Sequence, residues 1–393
     1  MSAGKKMFKE KRGLAIVNRN FWPKSQVLGE ALLRLAERAA EINGACVITQ
    51  SDESLKESFS NAGRGQGVEA FDCKARTTSA SGIIKRALES LVFMGWTFIS
   101  LIRFRPAKVY VATDPPVVVP FVVFLYSKLF RCEYYYHLQD IHPEAANIVV
   151  PVNGFVYKVL RAVDNLTIRH STGVITLSED MKSFIVLRSG MEAPIYLLDN
   201  PSFEVAGNNV ENRLDDVVFC GNAGRLQRIP LLLGAIEEYI KSGGKLRFTF
   251  IGRGVYAGAI KELAGRVENV RYLGYLPAPS ASEVVSQHQW ALLPIDDEVT
   301  KYAFPSKSSS YVQSGCGLVT ICGSGTSVAR WVSENSLGLI LEPSHQAVVE
   351  GLFRLEAESA VSYQGSKDLL SRLEIDSFVE KLSLILFSAL DQN

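Results

Sequence analysis

Residues 304–343 constrain the fold more strongly than any other part of the chain. Two short apolar runs, at 318–321 and 339–341, alternate there with helix-like segments and with turns that contain glycine. Short apolar runs bounded by turn residues are typical of buried strands, and their alternation with helices favours a parallel sheet. The sequence therefore predicts a loop, a helix and a strand here, followed by a second loop, helix and strand.

The tripeptide Pro305-Ser306-Lys307 is a candidate anion site at the start of the first of these helices. Proline suits the first turn of a helix because its missing N–H would have no partner there. The N–H groups of Ser306, Lys307 and Ser308 would then point out of the helix, where the macrodipole and the Lys307 charge favour an anion. We therefore predict a phosphate site, although the same helix start also occurs in α/β proteins that bind no ligand.

Length and composition narrow the class of protein. A chain of 393 residues is long enough for two domains with separate cores. The 42 Lys and Arg residues against 41 Asp and Glu residues leave a net charge of +1, which argues against nucleic-acid binding by bulk electrostatics. Residues 1–12 are basic and polar, so we expect no signal peptide.

The six cysteines indicate a reducing compartment. They form no Cys-x-x-Cys pair and no spacing typical of a metal site. We interpret them as reduced, mostly buried thiols of a cytosolic protein, and we expect no bound metal.

The first half opens with a βαβ pattern that lacks a G-x-G-x-x-G motif. Residues 13–18 are predicted to form a strand, Ser25 to cap a helix, and residues 46–49 to form the next strand. The missing motif argues against a nicotinamide-dependent dehydrogenase. Ligands of open α/β sheets bind beyond the carboxyl ends of the strands, which makes Asn18 and Trp22 candidate ligand contacts. A solvated loop is the alternative at these positions.

Two polar stretches are interpreted as connections. Residues 51–82 are rich in Gly and Ser and are predicted to link elements of the first domain, with a short strand near 68–71. Residues 204–216 are polar and without periodicity, so we predict that they link two domains.

Residues 83–104 are predicted to form a helix that is apolar over most of its surface. Lys85, Arg86 and Arg103 lie near its ends, and Glu89 interrupts the apolar run. The start of this segment is too polar for a helix that spans a membrane. The sequence is consistent with two interpretations. The segment is either a core helix or a helix that contacts a membrane through its apolar surface and basic ends.

Titratable residues follow two predicted strands of the first half. Asp114 comes after residues 109–112, and Asp140, His142 and Glu144 come after residues 132–138. Titratable groups at the edge of a crevice are often functional, so we predict a site here. Asp140 as the cap of the following helix is the structural alternative.

A second glycine-containing loop follows the predicted strand at 217–220. Gly221 and Gly224 leave room for a ligand to approach the backbone. Arg225 or Arg228 would meet a diphosphate with two parallel hydrogen bonds, and the sequence does not distinguish between them.

The order of these motifs resembles a known family. The second half reads PSK, then Tyr311, SG, an apolar strand, GSGT and GLILEP, and the first half contains ATDPP and YYYHLQDIHPEAA. This order resembles family 4 glycosyltransferases with the GT-B fold, in the subgroup that builds bacterial surface polysaccharides of the colanic acid and O-antigen type. The resemblance covers residues 13–390.

The resemblance implies an α/β architecture of two Rossmann-like, doubly wound domains that face a central cleft. Residues 1–205 would form the N-terminal, acceptor-side domain, and residues 206–375 the C-terminal domain that binds a nucleotide sugar. The last helix, 376–393, is expected to pack back on the first domain.

Together, the residues and the resemblance give each candidate a role. Asp140 and His142 are the catalytic candidates, which would face the transferred sugar and the acceptor. Retention of anomeric configuration is implied, with no cofactor and no metal, because cations and helix N-termini would stabilise the leaving diphosphate. The remaining candidates are Gly224, Arg225, Arg228, Ser306 and Lys307 for the donor diphosphate, Arg253, Tyr275 and Ser310 for the nucleoside, and Asn18, Trp22, Asp114 and Glu144 for the acceptor side.

The chain departs from the family pattern at three positions. Gln227 stands where a Lys is usual, so that Arg225 or Arg228 would have to compensate. Tyr302 and Ser310 stand where the family has a pair of glutamates, the second of which binds the ribose. A hydroxyl makes a weaker hydrogen bond to a ribose than a carboxylate does, which places the nucleotide contact in question.

The expected function is transfer of a hexose or N-acetylhexosamine from a nucleotide-diphosphate donor, with a UDP-sugar favoured. The acceptor would be a glycan or a polyprenyl-diphosphate-linked sugar of polysaccharide biosynthesis, reached in the cytoplasm or by peripheral contact with the inner face of the membrane. A sugar-nucleotide epimerase of the same fold and a non-catalytic partner subunit are the alternatives.

Overall fold

The computed structural model describes residues 12–77, 82–203, 214–358 and 360–387, which fold around two separate parallel sheets. The first sheet has seven strands in the order β3-β2-β1-β4-β5-β6-β7. Its strands are β1 (Arg12–Val17), β2 (Ala45–Ser51), β3 (Val68–Lys74), β4 (Pro106–Ala112), β5 (Glu133–His137), β6 (Gly173–Thr176) and β7 (Ile195–Leu197).

The second sheet has six strands in the order β10-β9-β8-β11-β12-β13. These are β8 (Leu214–Asn222), β9 (Arg247–Arg253), β10 (Val270–Gly274), β11 (His288–Pro294), β12 (Gly317–Ile321) and β13 (Gly338–Leu341). In both sheets the strand order reverses beside the first strand, which opens a crevice at the carboxyl ends of the strands. The predicted fold class, with two Rossmann-like doubly wound domains, is confirmed.

Helices cover both faces of each sheet, as parallel sheets require. The helices that follow strands of the first sheet are α1 (Leu28–Asn43), α2 (Leu55–Ala62), α3 (Ile83–Phe104), α4 (Val118–Phe130), α5 (Glu144–Val149), α6 (Gly154–Arg169) and α7 (Glu179–Ser189). The later helices are α8 (Ile229–Lys241), α9 (Ala257–Arg266), α10 (Ala278–Ser286), α11 (Lys307–Gln313), α12 (Ser327–Glu334), α13 (His345–Ala357), α14 (Lys367–Leu373) and α15 (Ile375–Phe387).

Several local predictions need correction. Ser25 is not the N-cap of α1, which is Val27, but the Ser25 hydroxyl does accept a hydrogen bond from the N–H of Gly29, 3.2 Å away, in the first turn of that helix. The stretch 51–82, interpreted as a connection, contains helix α2 and a seven-residue strand, β3. Of the predicted linker 204–216, residues 204–213 lie outside the described residues and the rest belongs to β8.

The last helix packs on the first domain, although α14 and the strands before it belong to the second. Phe378 and Leu382 of α15 lie in the same buried cluster as residues of α1 and β1. Lys108 of β4 donates to the carbonyl of Leu386, 2.7 Å away, near the end of α15. The chain therefore passes between the domains twice, and the two crossings touch, because the Ser202 N–H donates to the Leu373 carbonyl at 2.8 Å.

The loop after β5 joins the two domains along one side of the cleft. The Ile141 N–H donates to the carbonyl of Tyr302 at 2.7 Å, and Asp140 forms an antiparallel bridge with Ala303. The Tyr302 ring also meets Phe184 of α7 edge-on, with 4.9 Å between ring centroids. Residues after a strand of one domain are thus held by the other domain.

A buried ion network fixes the start of α5 against α6 and α7. Arg188, whose side chain is fully buried, donates to the carboxylates of Glu144, at 2.7 Å, and of Asp164. It also donates to the His142 carbonyl at 2.9 Å, while Asp164 accepts from the Tyr136 hydroxyl at 3.0 Å. Arg188 therefore links three segments of the first domain, and the partly exposed Arg161 of α6 adds a second cation to Glu144, 3.3 Å away.

We predict that Arg188→Met destabilises the protein by about 3 kcal/mol or more, because it leaves the buried carboxylate of Asp164 without its cation and Glu144 with only the partly exposed Arg161. Urea-induced unfolding measures this change. The matched control is Lys182→Met on the same helix, which loses only an exposed ion pair with Glu179 and should change stability by less than about 1 kcal/mol. Equal stability of the two variants would contradict the prediction.

Candidate functional site

The principal cavity, of about 540 Å³, lies between the two domains at the carboxyl ends of the strands. The first domain contributes the turn before α1 and Gln139, and the second contributes the end of β8, helix α10 and helix α11. Residues 200–203, which precede the passage between the domains, form a further part of the wall. The cavity therefore occupies the crevice that the topology of both sheets creates.

Lys307 is the most unusual side chain in this cavity. Its Nζ lies 4.4 Å from the centroid of the Phe219 ring, so that the side chain extends from α11 back across β8. A Cβ at Gly221 would lie only 2.5 Å from the Lys307 Cε, and Gly221 has φ +131. Glycine at this position therefore makes room for the lysine, while the Tyr311 hydroxyl fixes the strand by hydrogen bonds to the N–H and carbonyl of Cys220, at 2.8 and 3.0 Å.

The charge of Lys307 has no anionic partner within the described part of the chain. No ion pair forms at its Nζ there, and none of the described side chains that line the cavity is a carboxylate. Burial lowers the pKa of Lys307 to about 8, and the Cys220 thiolate would act in the opposite direction. A half-buried cation that faces a cavity without a carboxylate in its described lining attracts an anion, so Lys307 is the strongest candidate for the predicted phosphate site.

The N-terminus of α11 contributes less than the sequence predicts. The Ser308 N–H, predicted to point out of the helix, donates to the Pro305 carbonyl at 3.0 Å, and the Ser308 hydroxyl donates to the same carbonyl at 2.8 Å. The helix has only seven residues, and Ser306 precedes its first turn. The anion site therefore depends mainly on the Lys307 charge, with Ser306 beside it in the cavity wall.

The residues predicted for the nucleoside lie around the same cavity. The Tyr275 ring is exposed and lines the cavity, and the Arg253 guanidinium stacks over it, 4.9 Å from the ring centroid. Ser310 also lines the cavity and accepts a hydrogen bond from the Ser202 hydroxyl at 3.3 Å. The structure thus brings together Arg253, Tyr275 and two residues of α11, Lys307 and Ser310, from three separate segments of the sequence.

The three residues predicted from the loop after β8 do not line this cavity. The Gly224 N–H donates to the Gln227 side chain at 3.0 Å, which covers the glycine. Arg228 donates to Asp297 at 3.0 Å and to the Ile295 carbonyl at 2.9 Å, so its charge is already neutralised. Arg225 is exposed and reaches the first domain, where it donates to the carbonyl of residue 149 at 3.2 Å. The structure therefore does not bring these three residues to the wall of the cavity that contains Lys307.

Asp140 lies where the two domains meet, and Asp114 lies beside it. The Asp140 side chain is open to solvent, but the surrounding protein and the Asp114 carboxylate raise its pKa to about 6. Burial also raises the pKa of Asp114, while the cations Arg19 and Arg86 and the Asn20 amide favour its ionised form. The two carboxyl groups form an acidic edge next to the cavity.

The other four predicted residues do not line the cavity. Burial and Arg188 lower the pKa of His142 to about 4, so its imidazole is neutral near pH 7. Glu144 belongs to the buried ion network and does not face an acceptor. Trp22 stacks on Phe59, with 6.0 Å between ring centroids, so it packs on α2 instead of lining the cavity. Asn18 is buried, and its amide donates to the carbonyl of residue 20 at 2.8 Å.

Sequence reasoning missed several residues of the cavity wall. Lys24 lines the cavity and makes an exposed ion pair with Asp52 at 3.3 Å. Gln139 precedes Asp140, and Ser202 and Phe203 precede the passage between the domains. Polar residues directly after strand ends were a usable signal for Gln139, whereas no sequence signal marks residues of the crossing.

No protein-family model matches the chain, and no curated protein matches it. Solved structures match over nearly the whole length. Sucrose-phosphate synthase from Thermosynechococcus elongatus has a TM-score of 0.70 at 12% identity, over 97% of this chain and 99% of that one. HepE from Anabaena, in complex with UDP, has a TM-score of 0.62 at 14% identity, and the match covers 95% of this chain and 99% of HepE. WaaG, a glycosyltransferase of lipopolysaccharide biosynthesis, has a TM-score of 0.62 at 13% identity, and the match covers 95% of this chain and 99% of WaaG.

The chain has the GT-B fold. The likeness extends over both domains of each of these proteins, which agrees with the two sheets and the cleft between them. At such low identities it establishes the architecture, and the chemistry has to be argued from the residues of the cavity.

We predict that Lys307→Met stabilises the ligand-free protein near pH 7. The folded-state pKa of about 8 lies below the ordinary value of 10.5, so protonation favours the unfolded state at neutral pH. The penalty, up to about 3 kcal/mol, is present below pH 8 and disappears as pH rises toward 10.5. The stability gain of the variant, measured by urea unfolding, should therefore shrink between these pH values.

Lys301→Met is the matched control for this prediction. Lys301 is exposed, lies near α11 and pairs with Glu298. Its replacement should change stability by less than about 1 kcal/mol at either pH. A Lys307→Met variant that is less stable than the parent at pH 7 would contradict the assignment of an uncompensated charge.

Proposed function

We propose that this protein is a glycosyltransferase that transfers a sugar from a nucleotide-diphosphate donor, with a UDP-sugar favoured. The observation that carries the proposal is the uncompensated Lys307 in the interdomain cavity of a GT-B fold. Such a cation stabilises the negative charge that develops on a departing diphosphate, which is the main electrostatic requirement of the reaction. The UDP complex of HepE, a protein of the same architecture, supports the choice of nucleotide.

The cavity residues suggest how the donor is held. The diphosphate would lie against Lys307 and Ser306, close to the backbone at Gly221. The nucleobase would stack on the exposed ring of Tyr275, and the ribose would lie near Ser310. Serine hydroxyls would take the place of the carboxylate that the family uses for the ribose.

The transferred sugar would then lie between Lys307 and the acidic edge of the first domain. In the reaction the bond between the anomeric carbon and the diphosphate oxygen breaks, a bond to an acceptor hydroxyl oxygen forms, and the hydroxyl proton passes to the departing diphosphate or to solvent. Asp140, with a pKa of about 6, is mostly ionised at neutral pH and would favour the positive charge that develops on the sugar. His142 is neutral there and would be available as a hydrogen-bonding partner.

We further propose that transfer retains anomeric configuration without a resident cofactor or metal, and that the acceptor is a glycan or a lipid-linked glycan of polysaccharide biosynthesis. The protein would act in the cytoplasm, at or near the inner face of the membrane. WaaG supports the pathway class by analogy, since it shares the fold and takes part in lipopolysaccharide biosynthesis.

A non-catalytic subunit of the same fold is the second candidate. One observation favours it: within the described residues, no carboxylate lines the cavity, and Ser310 pairs with Ser202 at the expected ribose position. Such a subunit would not turn over any nucleotide sugar, which separates it from the first proposal.

We predict that one nucleotide sugar raises the Tm of the protein in a screen of UDP-, GDP- and TDP-sugars. A ligand at 100 times its Kd stabilises the folded state by about 2.7 kcal/mol, which is readily detected. The Lys307→Met variant should lose this shift while Lys301→Met keeps it. If no nucleotide sugar or nucleoside diphosphate shifts the Tm, the proposed donor site is wrong.

We also predict that Asp140→Asn lowers the transfer rate by roughly a hundredfold and leaves the donor-induced Tm shift unchanged, because Asp140 does not line the donor cavity. Turnover of the donor found in the screen measures the rate. Asp199→Asn is the control: this residue contacts Arg372 away from the acidic edge and should retain activity. A loss of donor binding in Asp140→Asn would contradict the assigned role.

A further inference from the structure

Three neighbouring helices of the first domain expose an unusual amount of apolar surface. Helices α3, α4 and α6 share one face of the sheet, where their inner sides join a single buried cluster. Their outer sides carry more than half of the large exposed apolar side chains of the described residues. These are Leu88, Leu91, Val92, Ile99 and Ile102 of α3, Leu125, Leu129 and Phe130 of α4, and Phe155, Val156, Val159 and Leu166 of α6.

The charges of the same helices have one sign at the surface. Their acidic residues are Glu89 and Asp164, which are buried and paired with Arg19 and Arg188. The basic residues are at least partly exposed: Lys85, Arg86, Arg103, Lys128, Lys158, Arg161 and Arg169. Of these, Arg161 lies in the middle of α6 and is paired with Glu144, 3.3 Å away. The outer face of the three helices is therefore apolar and cationic, with no exposed carboxylate of its own.

Helix α3 also has the length and apolar composition of a membrane-crossing helix, with about a third of it buried. In the structure its inner side contacts the sheet through Phe93, Leu101 and Phe104. Crossing a bilayer would remove these buried contacts, whereas contact through the outer side alone preserves them. The sequence alternatives of core helix and membrane-contacting helix are thus compatible, because each describes one side of α3.

We propose that the outer face of α3, α4 and α6 docks the protein on a bilayer that contains anionic lipids. Apolar side chains would enter the boundary between headgroups and acyl chains, and the surrounding Lys and Arg side chains would contact lipid phosphates. A second copy of the chain fits this face less well, because it would bring two cationic surfaces together.

The docking surface adjoins the candidate site. Helices α3 and α4 follow β3 and β4, and α6 follows β5 after the short helix α5, so each begins near the carboxyl edge of the sheet, where the cleft lies. Arg86 near the start of α3 is close enough to favour the ionised form of Asp114. This placement would bring a lipid-linked acceptor from the bilayer directly to the acidic edge. Only this last step depends on the proposed function.

Co-sedimentation with vesicles tests the docking surface. The full chain should bind vesicles of phosphatidylcholine and phosphatidylglycerol, and should bind phosphatidylcholine alone at least about tenfold less, because each cation near an anionic surface contributes to binding. Raised salt should weaken the binding by screening. Absence of binding to the anionic vesicles, or equal binding to both, overturns the proposal.

Two matched triple variants locate the surface. Val92→Gln, Leu129→Gln and Phe155→Gln together remove one apolar residue from each helix, with exposures of 65%, 68% and 76%. The control combines Ile42→Gln, Val255→Gln and Leu384→Gln, at 60%, 66% and 60%, which lie elsewhere. The first variant should lose about tenfold or more in vesicle binding and the control should not.

The remaining outcomes are equally decisive. If both variants bind vesicles like the parent, or if the first variant abolishes only a dimer seen by sedimentation without lipid, the proposed surface is wrong. The donor-induced Tm shift, measured without lipid, should persist in the first variant. That shift reports on the donor site independently, so failure of the docking surface and failure of the proposed function can be told apart.

Discussion

The uncompensated charge of Lys307 is the interaction on which the interpretation of this structure depends. The lysine crosses β8 at Gly221, lies over the Phe219 ring and reaches a cavity whose described lining contains no carboxylate. In a protein that binds nothing there, a hydrophobic residue at position 307 would be more favourable, since burial of an unpaired ammonium group opposes folding. An anionic ligand removes that penalty, and so the structure favours binding at this point.

The rest of the cavity follows from the topology. In each domain the strand order reverses beside the first strand, and the carboxyl ends of the strands of both sheets face the gap between the domains. Loops after strands therefore supply much of the wall, including Gln139 and Tyr275, and the end of β8 adds Gly221. Asp140 and Ala303 close one side of the gap by pairing across it.

How far the sequence predicts this arrangement depends on the range of the interaction involved. Apolar runs place β12, β13 and most other strands to within a few residues. Lys307 was found because a local motif marks it. The parallel sheets and the two domains follow from the alternation of strands and helices.

The errors concern side chains whose partners are distant in sequence. Arg228 is neutralised by Asp297, 69 residues away, and Arg188 binds Glu144 across 44 residues, so neither pairing is visible in a local pattern. Trp22 was predicted at the crevice because its loop follows a strand, but the Phe59 ring lies on the other side of that loop. Helix α2 was missed because it is short and its apolar side consists of only two residues, Leu55 and Phe59, among polar ones.

The double crossing between the domains has a mechanical consequence. Residues near 202 and near 373 pass side by side from one domain to the other and are joined by the hydrogen bond between Ser202 and Leu373. Two covalent connections at one place restrict relative motion to rotation about an axis through them, as in a hinge. The cavity wall at 200–203 lies on this axis, so opening would move α10 and α11 away from the first domain while the wall at the hinge stays in place.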